Sequence, residues 1–274
     1  MSKFTVLGAN GFVGRHLVRH LETTGHHVAT PARDEPLKRR HLGHAFYCIG
    51  MTSDFPNDPV ATVDAHICQL HRLLADATMD SLVYLSSTRL YDGGGPIGHE
   101  ADDLPLNPAT PRHLYDLTKA AAEALCHAIE RPPARVARLA SVYADNLGSD
   151  NFVHEVIRAA LSSQEAAFDT APDCERDYIH VGDVCRMVTA VATHGRRRIY
   201  NIASGRNVSN REMFAMVERE TGCRIQARRA PAGMSSPRIK IDAAVEDLGF
   251  SPVQLSETLP GIIRAHLGAR RAVG

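Results

Sequence analysis

Apolar positions along this chain switch repeatedly between the unbroken runs of buried strands and the three-to-four-residue recurrence of helices. Phe4 to Leu7 is an apolar run that enters a glycine-rich turn, and Val13, Leu17, Val18 and Leu21 then recur at helical spacing until Gly25 ends the pattern. His27 to Thr30 and Ala45 to Ile49 are short strands, joined by a basic connection (Lys38, Arg39, Arg40) too short for a full crossover helix. A helical pattern returns from Val63 to Leu74, followed by the strand-like Leu82 to Leu85 and the small polar pair Ser86-Ser87. Asp92 to Pro111, rich in Gly, Pro, Asp and Asn, reads as a surface loop of about twenty residues, a length usually kept for function. Beyond it come a helix from about Leu114 to Ile129, a strand at Arg135 to Leu139, a helix at Phe152 to Leu161, a strand at Tyr178 to Val181, and helices at Asp183 to Ala192 and Asn210 to Thr221. Ala269 to Gly274 reads as a frayed end. Strand and helix in alternation predict an α/β fold, a doubly wound parallel sheet with helices on both faces.

Composition narrows the class. At 274 residues the chain exceeds the usual single-domain size without reaching two full domains, so one body with a smaller lobe is expected. Lys plus Arg equals Asp plus Glu, 31 each, so no net field draws the protein to nucleic acid or an anionic membrane; the expected partner is a small molecule. The first residues show no basic-then-apolar leader pattern, and no run of apolar residues reaches the roughly eighteen needed to span a bilayer, so a cytoplasmic location is expected. Six cysteines are scattered without a CxxC pair, which predicts reduced thiols and no metal site.

Three groups of residues carry candidate chemistry. Gly8-Ala9-Asn10-Gly11-Phe12-Val13-Gly14 lies between the first strand and first helix, where glycines permit a tight turn and let a pyrophosphate approach the amides at the positive end of the helix. A purely structural turn is the alternative. Tyr115 and Lys119 stand four apart, on one helix face. A nearby cation brings a phenol toward neutrality, so Tyr115 could exchange a proton with an alcohol or carbonyl; a solvated helix face is the alternative. Ser87 ends a predicted strand, where ligands collect in open parallel sheets, or is simply a turn residue.

Taken together, GANGFVG at 8 to 14, LSSTRLY at 85 to 91 and YDLTK at 115 to 119 resemble the extended short-chain dehydrogenase/reductases, an epimerase/dehydratase family that mostly modifies nucleotide sugars. ERDYIHVGDV at 175 to 184, YNIASG at 200 to 205 and DAAVEDLGFSP at 242 to 252 extend the similarity over residues 4 to about 255. The resemblance implies a Rossmann-type core over 1–145 with return segments at about 177–204, and a small C-terminal substrate-binding lobe from 146–176 and 205–268. It makes Tyr115 the general acid/base, Lys119 its electrostatic partner and a ribose ligand, and Ser87, four before Tyr91, the donor to the reacting oxygen. Gly8, Asn10, Gly11, Phe12, Val13 and Gly14 become cofactor ligands, and Ser141 and Arg176 substrate ligands, with Arg176 gripping a diphosphate. A surface ion pair with Asp173 or Asp177 is the alternative for Arg176.

Departures from the family pattern shape the remaining expectations. Ala32 stands where NAD enzymes place a ribose-binding acid, and Arg33 follows it, so NADP(H) is expected, with Arg15 assisting and NAD(H) as the alternative. Arg33 turned to solvent or paired with Asp34 or Glu35 would undo that. The connection from Asp34 to His44 is trimmed, Ser141 and Ala144 replace asparagine and glycine, and His66 stands where asparagine is common. Thr88 and Arg89 occupy the acidic-pair positions of 4,6-dehydratases, which disfavours elimination. The reaction expected from sequence is therefore net reduction of a keto group on a nucleotide-linked sugar. An epimerase with retained cofactor, a reductase of a non-sugar ketone in secondary metabolism, and a non-catalytic NADP-sensing regulator are the alternatives. A homodimer is expected, because the family pairs the helices at 63–74 and 114–129, and Leu70, Leu73, Leu74, Leu117, Ala121, Ala124 and Leu125 offer them apolar surface.

Overall fold

The computed structural model describes residues 2–33, 35–51, 57–230 and 235–273. Strand β1 (Lys3–Leu7) runs into the glycine turn and helix α1 (Phe12–Thr23), whose Leu17 and Leu21 face the sheet; β2 (His27–Ala29) and β3 (His44–Tyr47) follow. No helix joins β2 to β3 among the described residues, as the trimmed connection implied. The next helix starts earlier than its apolar pattern, at Pro59, because Asp58 accepts a hydrogen bond from the Ala61 amide and caps it. It comprises α2 (Pro59–Val63), a π turn (Asp64–Cys68) and α3 (Gln69–Asp76).

Strand β4 (Ser81–Ser87) passes through a 3₁₀ turn (Thr88–Tyr91) into the segment read as one long loop. That segment contains a short strand, β5 (Ile97–Gly98), invisible to a pattern search because only two residues pair. Helix α4 (Leu114–Ala128), β6 (Ala134–Leu139), β7 (Ser141–Tyr143), α5 (Phe152–Ser162), β8 (Glu165–Phe168), β9 (Glu175–His180) and α6 (Val181–His194) follow. The chain continues through β10 (Ile199–Ile202), β11 (Asn207–Ser209), α7 (Asn210–Thr221), β12 (Arg224–Ala227), β13 (Arg238–Ile239), α8 (Asp242–Leu248) and α9 (Leu255–Val273). The expected frayed end is corrected: Leu255, Leu259, Ile262 and Ile263 recur at helical spacing and are buried, so α9 continues through 269–273, and Gly274 lies outside the described residues.

Six strands form a parallel sheet in the order β10-β6-β4-β3-β1-β2. One face packs Phe4, Leu17, Leu21, Val184 and Val188 under α1 and α6. The other packs Tyr47, Leu70, Leu73, Tyr84, Ala122 and Cys126 under α3 and α4. This is a Rossmann-like fold. Leu70 and Leu73 thus lie inside the chain and leave the list of residues expected to form a dimer surface. A separate apolar cluster, including Val153, Ile157, Phe168, Phe214 and Ile263, holds α5, α7 and α9 together. Because β2 and β3 flank β1 on opposite sides, the order reverses at the carboxyl end of β1, which is where open α/β sheets leave a crevice.

Candidate active site

At that reversal the glycine triplet is demanded by geometry. Gly8 sits at φ 82°, and a Cβ there would stand 2.9 Å from the Cys48 carbonyl carbon; a Cβ on Gly14 would stand 2.2 Å from Gly8 O. The turn is structurally required, then, and it also leaves the start of α1 without a side-chain cap, so its amides face the crevice, a fit for a dinucleotide's phosphates. The Phe12 ring lies edge-on to that of His154 at 6.0 Å. Asn10 is exposed and Val13 half-buried beside it. Arg15 donates to Gly148 O at 2.9 Å.

Beyond β2 the connection supplies a carboxylate. Glu35, three residues beyond Ala32, folds back so that its carboxylate accepts from the Ala32 amide at 3.0 Å and pairs with Arg40. Arg40 and that amide hold the Glu35 carboxyl below its ordinary value, so it is charged. A carboxylate therefore does stand at the end of β2, supplied by a turn rather than by the aligned position. Arg33 is exposed and its charge falls on Asp64; Asp34, its other suggested partner, lies outside the described residues.

Ser87, Tyr115 and Lys119 converge beside the crevice. Tyr115 is buried and hydrogen-bonded with Ser87, whose Oγ also accepts from the Arg89 amide at 3.2 Å. Burial raises the phenol above its ordinary value, while the Ser87 hydrogen bond and the Arg89 charge oppose that rise. Lys119 donates from Nζ to Leu85 O at 2.9 Å, and burial brings its ammonium down to about 8 against the opposing pull of Glu123 and Cys48. Nζ lies 5.9 Å from the Tyr115 ring centroid, whereas the Arg89 guanidinium lies at 5.0 Å. A Cβ on Gly50, just beyond β3, would stand 3.4 Å from Nζ, so the ammonium borders the crevice.

His66 completes the support of Tyr115. It sits in the π turn, fully buried, and its ring meets the Tyr115 ring edge-on at 5.2 Å. The Met51 amide donates to Nε2 at 3.2 Å, so Nε2 carries no proton, and Nδ1 donates to Thr118 Oγ at 2.8 Å. Thr118 in turn donates to Tyr115 O at 2.9 Å. Burial, then the Lys119 charge, lowers the imidazole to about 3, so the ring is neutral. In the unfolded chain it protonates from pH 6.5 downward, so its stabilisation is full above that value and is lost as pH falls toward about 3. Between pH 6.5 and about 4.5 the wild type should lose about 2–3 kcal/mol more stability than His66→Asn, measured by urea unfolding; equal losses would contradict this.

Other assigned residues spread outward. Ser141 follows the end of β6, whose Leu139 pairs in register with Ser87. Arg176 is exposed on β9, and its alternative partner Asp177 is buried and accepts from the Ser204 amide at 2.7 Å. Burial pushes the Asp92 carboxyl above its ordinary range, opposed by a hydrogen bond with Ser236 and then by the charges of Arg112, Arg89 and Arg176. A cavity of about 400 Å³ opens beside it, lined by Gly93, Glu175, Asn207, Ser236 and Arg238 among others, but by none of Ser87, Tyr115 and Lys119.

Sequence reasoning missed the network that anchors α4. Arg138 donates to both Glu123 oxygens, at 2.6 Å to Oε2, and to Tyr91 Oη at 2.7 Å, and Tyr91 donates to Asn201 Oδ1 at 2.8 Å. Two signals were available. Arg138 interrupts an apolar strand, and Glu123 extends the 115, 119 helix face by one more turn.

Comparison with known proteins agrees with this architecture. A model of the NAD dependent epimerase/dehydratase family matches residues 4–55 and 49–203. A dTDP-glucose 4,6-dehydratase of Streptomyces griseus is 28% identical over 146 residues, 52% of this chain and 43% of its own. A putative UDP-glucose 4-epimerase of Methanocaldococcus jannaschii is 26% identical over 197 residues, 68% of this chain and 62% of its own. The chain thus spans less than two thirds of the length of these curated relatives. The solved structure of MoeE5 in complex with UDP-glucose and NAD superposes with a TM-score of 0.80 over 99% of this chain and 100% of that one, at 26% identity.

Proposed function

The chain belongs to the NAD dependent epimerase/dehydratase family, and from that we propose that it transfers hydride between a nicotinamide cofactor and a carbinol carbon of a nucleotide-linked sugar. The observation that carries this is the hydrogen-bonded Tyr115 and Ser87 pair beside the glycine turn, with two cations near the phenol. The bound nicotinamide supplies hydride chemistry. Ser87 holds the reacting oxygen and Tyr115 takes or returns its proton. Lys119 holds the cofactor ribose, and the amides after Gly11 hold its phosphates. The lobe formed by 146–176 and 205–268 takes the nucleotide, with Ser141 and Arg176 as ligands.

Arg89 occupies a position where a dehydratase carries an acid, so no carboxylate is available there to remove the proton that elimination requires. The hydride returns to the same sugar, making the reaction an epimerisation, as the names of the relatives suggest. Net ketoreduction is the second reading: the helix-free connection after β2 offers fewer contacts to hold a cofactor between turnovers. Incubation with UDP-sugars and cofactor separates the two. Interconversion of epimers without net change in nicotinamide absorbance is expected, and one reduced cofactor consumed per product would select ketoreduction.

For the cofactor we favour NAD(H), the alternative to the NADP(H) expected from sequence, because a charged Glu35 carboxylate at the Ala32 amide would oppose a 2′-phosphate. Fluorescence titration should show tighter NAD(H) binding and a several-fold gain in NADP(H) affinity for Glu35→Gln. Tighter NADP(H) binding by the wild type would contradict this. Half-buried Leu74, Leu117 and Leu125 with exposed Ala121 and Ala124 remain as the surface of a proposed homodimer, and a monomer by light scattering would refute it.

A further inference from the structure

The α4 face that carries Tyr115 and Lys119 continues one turn further to Glu123, and all three residues are buried. Around the Lys119 ammonium stand Cys48 from the end of β3, His66 from the π turn, Tyr84 from β4, and Tyr115 and Glu123 from its own helix. Most of these are neutral. His66 carries no charge, burial raises the Cys48 thiol and the Tyr84 phenol well above their ordinary values, and Tyr115 is a phenol until it gives up its proton. Glu123 is therefore the formal negative charge among them, which a buried ammonium needs, and its pull on Lys119 ranks second only to burial. Its place is fixed from outside the helix. Arg138 stands on β6 opposite Ser86, grips both Glu123 oxygens, and is itself held by Tyr91 Oη at 2.7 Å, at the end of the 3₁₀ turn that follows Ser87.

Resting on the reading of Tyr115 and Lys119 as the proton-carrying pair, we propose that Glu123, clamped by Arg138, is the positioning residue that keeps Lys119 an ammonium beside Tyr115 at working pH. Burial brings that ammonium down to about 8 even with Glu123 in place, so without the carboxylate it titrates closer to neutrality. A neutral amine cannot serve the phenol. When the substrate carbonyl takes the Tyr115 proton, the negative charge left on Oη is met by Lys119 only while the lysine is protonated; when the alcohol returns the proton, that charge is discharged. Of the buried ion pair, Glu123 is the member that bears on the lysine, and Arg138 fixes where its charge stands. The joint between β6 and α4 thereby sets the pH range over which the site can work.

The test reads the ammonium directly. The chain has four lysines, Lys3, Lys38, Lys119 and Lys240, so isotope labelling at the lysine ε-carbon of the full chain lets each be followed by NMR. The Lys119 resonance is assigned by its loss in Lys119→Arg. A nearby opposite charge moves a titration by about 1–3 pH units, and Glu123 shares its charge with Arg138, so the lower end applies. Glu123→Gln should lower the Lys119 midpoint by about one pH unit, and Glu123→Asp should restore part of it. Glu123→Gln leaves a buried guanidinium without its carboxylate. Glu123→Gln combined with Arg138→Met removes both charges and guards against loss of the fold; its midpoint should still lie below wild type. The alkaline limb of the turnover profile should move with the midpoint, which a purely structural role would not cause. A midpoint equal to or above wild type in the folded Glu123→Gln chain, single or double, or an alkaline limb that stays in place while the midpoint falls, would overturn the proposal. Neither sugar nor cofactor enters the titration, so failure of the proposed reaction shows as absent turnover and leaves the midpoints to be read on their own.

Discussion

Tyr115→Phe is expected to cut turnover by about 10²–10⁴-fold while leaving cofactor affinity nearly unchanged. The phenol hydroxyl is the only group removed. The ring that meets His66 at 5.2 Å and lies beneath the Arg89 guanidinium at 5.0 Å is retained, so the packing around it survives. Ser87 keeps its hydrogen bond from the Arg89 amide and can still hold the reacting oxygen, but no side chain then receives the proton. Lys119→Ala should behave differently and lower both turnover and cofactor affinity, because its ammonium borders the crevice and also ties α4 to β4 through Leu85 O. Steady-state kinetics beside a fluorescence titration separates the two patterns. Near-full activity of Tyr115→Phe would remove the phenol from the reaction.

The second large effect is on stability. Glu123→Ala should destabilise the protein by about 3–5 kcal/mol, because it strips a buried guanidinium of its carboxylate. Both side chains of the pair are 4% exposed, and among the described residues Arg138 keeps a side-chain hydrogen bond to Tyr91 Oη alone once Glu123 is gone. The strained group cannot reach water without opening the joint between β6 and α4. Chemical denaturation checks the magnitude. Replacing both Glu123 and Arg138 by apolar residues of similar volume should cost much less than Glu123→Ala alone, since the burden lies in the unpaired charge. A Glu123→Ala loss below about 1 kcal/mol would show that solvent reaches Arg138.

The long periodic stretches were legible in the sequence because each buries one face against the sheet. The 3.6-residue recurrence of Leu17 and Leu21, the helix of Tyr115 and the helix at Asn210–Thr221 all appear in the structure at or near their expected bounds. Two-residue strands such as β5 and β13 were not legible, since their partner lies more than a hundred residues away and no periodicity fits in two positions. The same holds at the site. Tyr115, Lys119 and Ser87 could be read because spacing on one helix and one strand end brings them together. Glu35 could not, because its carboxylate reaches the Ala32 amide through a turn rather than through alignment. Arg89 was noticed only for what it replaced; its place over Tyr115 and beside Asp116 comes from tertiary packing, and the burial of Asp116 is not disclosed by the pattern of YDLTK.

The central claim is that hydride moves between nicotinamide and sugar at Tyr115. Rapid mixing of the NAD-loaded full chain with a panel of UDP- and dTDP-linked hexoses, followed at the absorbance of reduced nicotinamide, tests it most directly. The account predicts that at least one sugar produces that absorbance transiently, that it decays as the epimer forms, and that Tyr115→Phe abolishes it. A chain that binds NAD yet produces no reduced nicotinamide with any sugar of the panel, or a Tyr115→Phe signal equal to that of the wild type, would contradict it.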